Sequence, residues 1–145
     1  MASSARRFAW KLGRKLYCWG RLDSRNDPAI NGEYDLLEQV MALARRPIVL
    51  LDVGANRGEW TRRAVSLARA RNLELTVHAF EPLSGTRALL EQAVRSLPEV
   101  KVEAVALSNS PGTASFYFQR SGAGTSSLHP VSGSQTEAVP LTTRR

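Results

Sequence analysis

The chain has 145 residues, the length of about one domain, with 43% hydrophobic residues and a formal net charge of +7. No apolar run approaches the roughly 20 residues needed to cross a bilayer, and the N-terminus lacks the continuous apolar segment of a secretory signal, so a cytoplasmic protein is expected. Cys18, the single cysteine, excludes an internal disulfide and a thiolate cluster for zinc or iron; a packed, inert thiol is expected there, and no metal site.

The charge is unevenly placed. Residues 1–22 hold Arg6, Arg7, Lys11, Arg14, Lys15 and Arg21 and no acid, which leaves 14 of the 20 basic residues to face all 13 acids in the rest of the chain. A groove-binding protein carries its basic residues across a folded face, so no nucleic-acid partner is expected. Phe8, Leu12, Leu16 and Trp19 recur at helical spacing opposite much of the basic set, which predicts an amphipathic helix within a basic arm of residues 1–30. Such a helix can pack on the domain with its basic face solvated. It can instead make a peripheral contact with an anionic membrane, or serve as an organelle presequence.

Residues 31–145 read as one α/β domain. Tyr34, Leu37, Met41 and Ala44 mark a lead-in helix over 33–45, which Pro47 stops. Ile48 to Val53 is apolar on both faces, as a central parallel strand is when helices cover both sides of its sheet. A helix from Glu59 to Arg71 turns Trp60, Ala64 and Leu67 inward and Arg62, Arg63 and Arg69 outward, and Asn72 closes it. Leu75 to Phe80 is a second strand, ended by Glu81-Pro82. Ser84 is placed to cap a helix bearing Leu89, Leu90, Ala93, Val94 and Leu97, halted by Pro98. Val100 to Leu107 is a third strand, whose Lys101 and Glu103 mark an edge.

The order β-α-β-α-β calls for a parallel sheet. After Asn109 the character changes. Ser110-Pro111-Gly112 makes a turn, Ala114 to Phe118 a short strand, and Ser121 to Gln135 a serine- and glycine-rich mobile loop before a further strand at Val139 to Thr143.

The chemistry gathers where the first strand ends. Asp52-Val53-Gly54-Ala55-Asn56-Arg57-Gly58 runs from the strand into a Gly-x-Asn-x-Gly loop and then a helix, whose leading amides and dipole favour an anionic group. Gly54 and Gly58 permit positive φ and close backbone approach, and Asn56 tolerates the same conformation. Glu81 lies at the carboxyl edge of the neighbouring strand, where a carboxylate can accept hydrogen bonds from both hydroxyls of a ribose. Asp52 can brace the loop amides, meet a ligand's ammonium, or act as a purely local cap. Together these residues suit a ligand with an adenosine and a small charged end. The rival is a nicotinamide dehydrogenase, but its Gly-x-Gly-x-x-Gly fingerprint is not met; an Asp two places before the first glycine is more typical of S-adenosylmethionine sites.

Asn31-Gly32-Glu33, Asp52 to Gly58, Phe80-Glu81-Pro82 and Ala106-Leu107-Ser108-Asn109, in that order, resemble the FkbM family of S-adenosylmethionine-dependent methyltransferases over roughly residues 31–143. The resemblance implies an incomplete Rossmann-like class I methyltransferase fold, with three parallel strands and their helices, a short β extension, and N-terminal helices in front. It implies S-adenosyl-L-methionine as cofactor, with Gly54, Asn56 and Gly58 lining its methionine part, Glu81 its ribose, and Ser108 or Asn109 its adenine edge. A Ser-Asn pair after a strand is also a common turn. The acceptor implied is a small-molecule or saccharide hydroxyl.

Transfer to a hydroxyl needs a base, for which His78 and His129 are the available histidines. The first reads as a strand residue and the second as a loop residue, and neither is assigned. Relatives in the family continue into further strands, and in the usual order 3-2-1-4-5 the first strand is central. A truncated N-terminal portion is therefore expected, with an edge open to self-association and with its isolated activity in question. A non-catalytic remnant or partner-binding module is the alternative.

Overall fold

A computed structural model describes residues 2–20, 28–44, 47–118 and 135–142. The chain divides into two compact units, Met1–Glu38 and Gln39–Arg145. The predicted mobile loop falls outside the described residues except for Gln135, which belongs to a strand, and His129 lies outside them too.

In the first unit α1 (Ala2–Gly20) forms over the amphipathic stretch. Its apolar residues are exposed, Trp19 by 79% and Phe8 by 69%, and Cys18 is a free, half-buried thiol. A turn then leads to α2 (Glu33–Leu43), which crosses the boundary between the units. Asn31 starts it: its Oδ1 accepts the Glu33 amide at 3.0 Å, while Gly32 takes φ +88° and its carbonyl accepts from Leu36 N. Leu37 and Met41, one turn apart, are buried. The helix stops at Leu43, two residues short of the predicted end.

The second unit is built on three parallel strands, β1 (Ile48–Val53), β2 (Leu75–Phe80) and β3 (Val100–Glu103), in the order β1-β2-β3. This is the 3-2-1 portion of the expected order. Residues Ile48 to Val53 pair with Leu75 to Phe80 one for one, and Val77 to Phe80 pair with Val100 to Glu103. The connections are α3 (Glu59–Ala70) and α4 (Ser84–Val94).

α3 buries Thr61, Ala64, Val65, Leu67 and Ala68, the stripe expected of period 3.6, and Asn72 ends it at φ +52°. α4 sets Leu90 and Val94 against Ala55 and Ala79, with Leu97, Val100 and Val102 around them. Complete burial of a side chain such as Leu90 or Val77 contributes about 1.5–3 kcal/mol. Ser84 is not the cap of α4. Leu83 is, with extended φ and ψ, and Ser84 is the first helical residue.

Both helices lie on one face of the sheet. Thr61 of α3 bonds to Asp52, Leu90 and Val94 of α4 pack with Ala79 and Val102, and the register puts Asp52, Ala79 and Val102 on the same side. The expectation that β1 is covered on both faces is therefore corrected: Val49, Leu51 and Val53, on the opposite side, are exposed. Among the described residues β1 pairs only with β2, so it is an edge.

The third predicted strand also divides. β3 stops at Glu103, whose carbonyl still accepts from Glu81 N at 3.1 Å; the next amide on that side, Leu83 N, turns to Glu81 Oε1 and does not continue the ladder. The chain bends through residues 104–105 and re-pairs as β4 (Ala106–Leu107) in a second sheet of order β4-β6-β5. There β5 (Gly112–Phe118) and β6 (Gln135–Thr142) pair antiparallel along their length, Gly112 with Leu141 and Phe118 with Gln135. Both extend beyond the sequence-predicted spans. Pro140 is tolerated in β6 because β4 pairs with it only from Leu141 onward.

Candidate functional site

The turn between β1 and α3 is held by backbone bonds to the end of β2. The amides of Gly54 and Ala55 both reach the Phe80 carbonyl at 3.0 Å, and Gly58 N closes on Ala55 O at 2.8 Å. Three residues take left-handed conformations: Gly54 at φ +82°, Asn56 at +49° and Gly58 at +75°. The two glycines do different work. A methyl group at Gly54 would meet nothing within 4 Å, so that side of the loop is open; at Gly58 it would lie 2.7 Å from Leu90 Cδ1 and 3.3 Å from Val94 Cγ1. Gly58 is buried beneath α4 and lets that helix approach.

Glu81 enters this turn directly. Its Oε2 accepts the Asn56 amide at 3.1 Å and its Oε1 the Leu83 amide at 3.0 Å, so one carboxylate ties the loop to the start of α4. Burial pushes the Glu81 carboxyl above the usual carboxylate range, against the downward pull of those amides and of Arg87. Each oxygen retains acceptor capacity beyond its one amide.

Asp52 sits at the last paired position but one of β1 and accepts a hydrogen bond from the Thr61 hydroxyl. Its carboxyl is also raised, by burial first, with the Thr61 bond opposing. Thr61 is fully buried and was not singled out by the sequence. The available signal was a hydroxyl on the apolar stripe it shares with Ala64, Val65 and Ala68. Glu137 of β6 was missed as well; its Oε1 accepts the Ser84 amide at 3.0 Å and completes the capping of α4.

The structure thus brings Gly54, Asn56, Gly58 and Glu81 together, with Asp52 at the foot of the same turn. It does not join Ser108 and Asn109 to them by any hydrogen bond among the described residues. Those two follow β4 in the second sheet, where Ser108 N bonds to Thr142 O at 2.9 Å and the Asn109 amide oxygen accepts from the hydroxyls of Ser108 and Ser110. His78 lies on the face of β2 opposite the helices and is partly buried; its Nδ1 lies 2.9 Å from Glu103 Oε1 and its ring stacks on Phe80. That is a strand residue with a partner. No cluster of histidine, cysteine or carboxylate side chains suited to a metal occurs among the described residues.

The raised carboxyl of Asp52 has a measurable consequence. A native carboxyl that holds its proton more tightly than the unfolded one loses stability as pH climbs from about 4, the unfolded value, through the raised native value. Asn in its place still accepts from Thr61 but carries no charge to bury. Asp52→Asn is expected to gain stability relative to the parent as pH is raised from about 4 to about 8, read as the difference in urea midpoints. A difference that stays flat across that range excludes a buried charge at this position.

The parallel strands, the helices on their face and the loop that follows β1 are those of a Rossmann-like class I methyltransferase fold. The family model of the FkbM methyltransferase domain matches residues 52–142, and the chain belongs to that family. No curated protein matches the chain.

Proposed function

We propose that this methyltransferase-family chain binds S-adenosyl-L-methionine at the turn after β1 and transfers its methyl group to an oxygen, the hydroxyl of a small molecule or a sugar, in the cytoplasm. The observation that carries the reading is the bond from Asn56 N to Glu81 Oε2, because it unites the loop that would cradle the methionine end with the acid that would hold the ribose. Gly54 adds a backbone left open on one side, where a ligand can approach. When bound, the sulfonium supplies a methyl group already activated for in-line transfer. What remains for the chain is to hold and orient, and to accept a proton at the acceptor.

Glu81 and the open backbone at Gly54 do the holding in this reading, and Asp52, braced by Thr61, keeps the loop at its angle. No side chain is assigned as the base, since His78 is engaged by Glu103. The test is calorimetric titration of the full chain with S-adenosylhomocysteine and, separately, with NAD. Heat from the first ligand alone is expected. Heat from NAD alone returns the chain to the dinucleotide binders, and heat from neither makes it a non-catalytic binding module.

A further inference from the structure

The geometry of α1 points to a second binding surface, and we propose that this helix seats the protein on an anionic lipid bilayer. At about 100° per residue, Phe8, Leu12, Leu16 and Trp19 fall within an arc of about 80°. All four side chains are exposed. Arg6, Lys11 and Lys15 fall outside that arc on the same helix and are exposed as well, with Lys15 bordering it. Long basic side chains at such a border can lay their methylenes along an apolar surface while the charge reaches lipid phosphates. An aromatic and leucine face backed by lysine and arginine is the composition of a helix that lies in the interfacial plane. Among the described residues no helix is long and apolar enough to cross a membrane, so the contact is peripheral.

Charge decides between the candidate occupants of the face. Residues 1–22 contain six basic residues and no acid, so a second copy of the same helix would be repelled across an apolar seam. A nucleic acid would neutralise the cations but leave Phe8, Leu12, Leu16 and Trp19 in water. An anionic bilayer answers both halves at once.

The experiment is flotation of the full chain with vesicles of phosphatidylcholine alone and of phosphatidylcholine mixed with phosphatidylserine. Flotation is expected with the anionic vesicles only, and it should decline as salt is added. Each positive charge near such a surface is worth about fivefold in partitioning, so the pair Lys11→Gln and Lys15→Gln should weaken it roughly thirtyfold. Leu12→Asp with Leu16→Asp should abolish it. The lysine pair keeps the experiment decisive if the aspartates unfold the helix, because glutamine is a good helix former. Failure of the parent chain to float overturns the proposal, as does equal flotation with both vesicle types or partitioning unchanged by the lysine pair. Capture of a polyuridylate RNA without flotation overturns it in favour of nucleic acid, and a dimer dissolved by Leu12→Asp without flotation does so in favour of a second copy.

Discussion

Glu81→Ala is expected to weaken S-adenosylhomocysteine binding by about a hundredfold or more, and to unfold the protein sooner. Two hydrogen bonds from ribose hydroxyls to a carboxylate are worth about 1.5–3 kcal/mol each, and the upper loss follows from losing both. The stability cost has a separate origin. Removing the carboxylate strands the amides of Asn56 and Leu83, which it accepts at 3.1 and 3.0 Å. Asn56 is exposed and water can replace its acceptor, whereas Leu83 is buried, so its amide bears a penalty of about 1–3 kcal/mol.

Relief of the buried charge offsets part of that, since the Glu81 carboxyl is raised by desolvation. A net loss of about 1–2 kcal/mol lowers the melting temperature by roughly 3–7 °C in a chain of this size. The alanine variant alone therefore confuses a lost site with a loosened fold. Glu81→Gln separates them, because its carbonyl can still serve Leu83 while its amide nitrogen turns toward the exposed side at Asn56. Thermal denaturation and titration of the glutamine variant together decide the matter. A melting temperature near the parent's with affinity reduced about tenfold or more supports the ribose role; full affinity in that variant would falsify it.

The two strands that frame this site were legible because their signal is local. Ile48–Val53 and Leu75–Phe80 are short apolar runs bounded by proline, glycine and acid, and the structure places both where the sequence does. The proximity of Glu81 to the loop was legible for a related reason: a parallel β-α-β unit brings the ends of adjacent strands together whatever lies between them. Contacts set by packing at a distance were not. Thr61 meets Asp52 only because α3 folds back on the sheet, and Glu137 reaches Ser84 across 53 positions.

The misplaced cap of α4 and the divided third strand share that cause. Ser84 has the side chain of a cap, but the carboxylates of Glu81 in the β2–α4 connection and Glu137 in β6 already take the amides of Leu83 and Ser84, so the helix starts one residue earlier than its best local capping signal. Val100 to Leu107 is continuous as a pattern, yet the Leu83 amide that would extend its ladder is taken by Glu81, and β6 offers a new one. The alternation of Val49, Leu51 and Val53 announces an apolar face. Nothing in that alternation states that α3 and α4 will both choose the other side.

The glycines of the loop, which the sequence treats alike, should behave oppositely when substituted. Gly58→Ala combines a left-handed backbone at φ +75° with a methyl group 2.7 Å from Leu90 Cδ1. The conformation costs roughly 1–2 kcal/mol for a residue with a Cβ, and the overpacking about 1–3 more, because Leu90 is fully buried. The sum, about 2–5 kcal/mol, is a large part of the 5–15 kcal/mol that holds a typical domain. Gly54→Ala carries only the first of these terms, since its methyl group meets nothing within 4 Å.

Urea denaturation of the two variants should therefore differ by about 1–3 kcal/mol, with Gly58→Ala the weaker. Trimming Leu90 to alanine in the Gly58→Ala chain should cost less than it does in the parent, since it makes room for the added methyl group. Titration should give the reverse order: Gly54→Ala stays folded but fills the open side of the turn and loses S-adenosylhomocysteine affinity. Equal stability losses would mean that Leu90 does not close over Gly58, and undiminished binding by Gly54→Ala would remove that residue from the site.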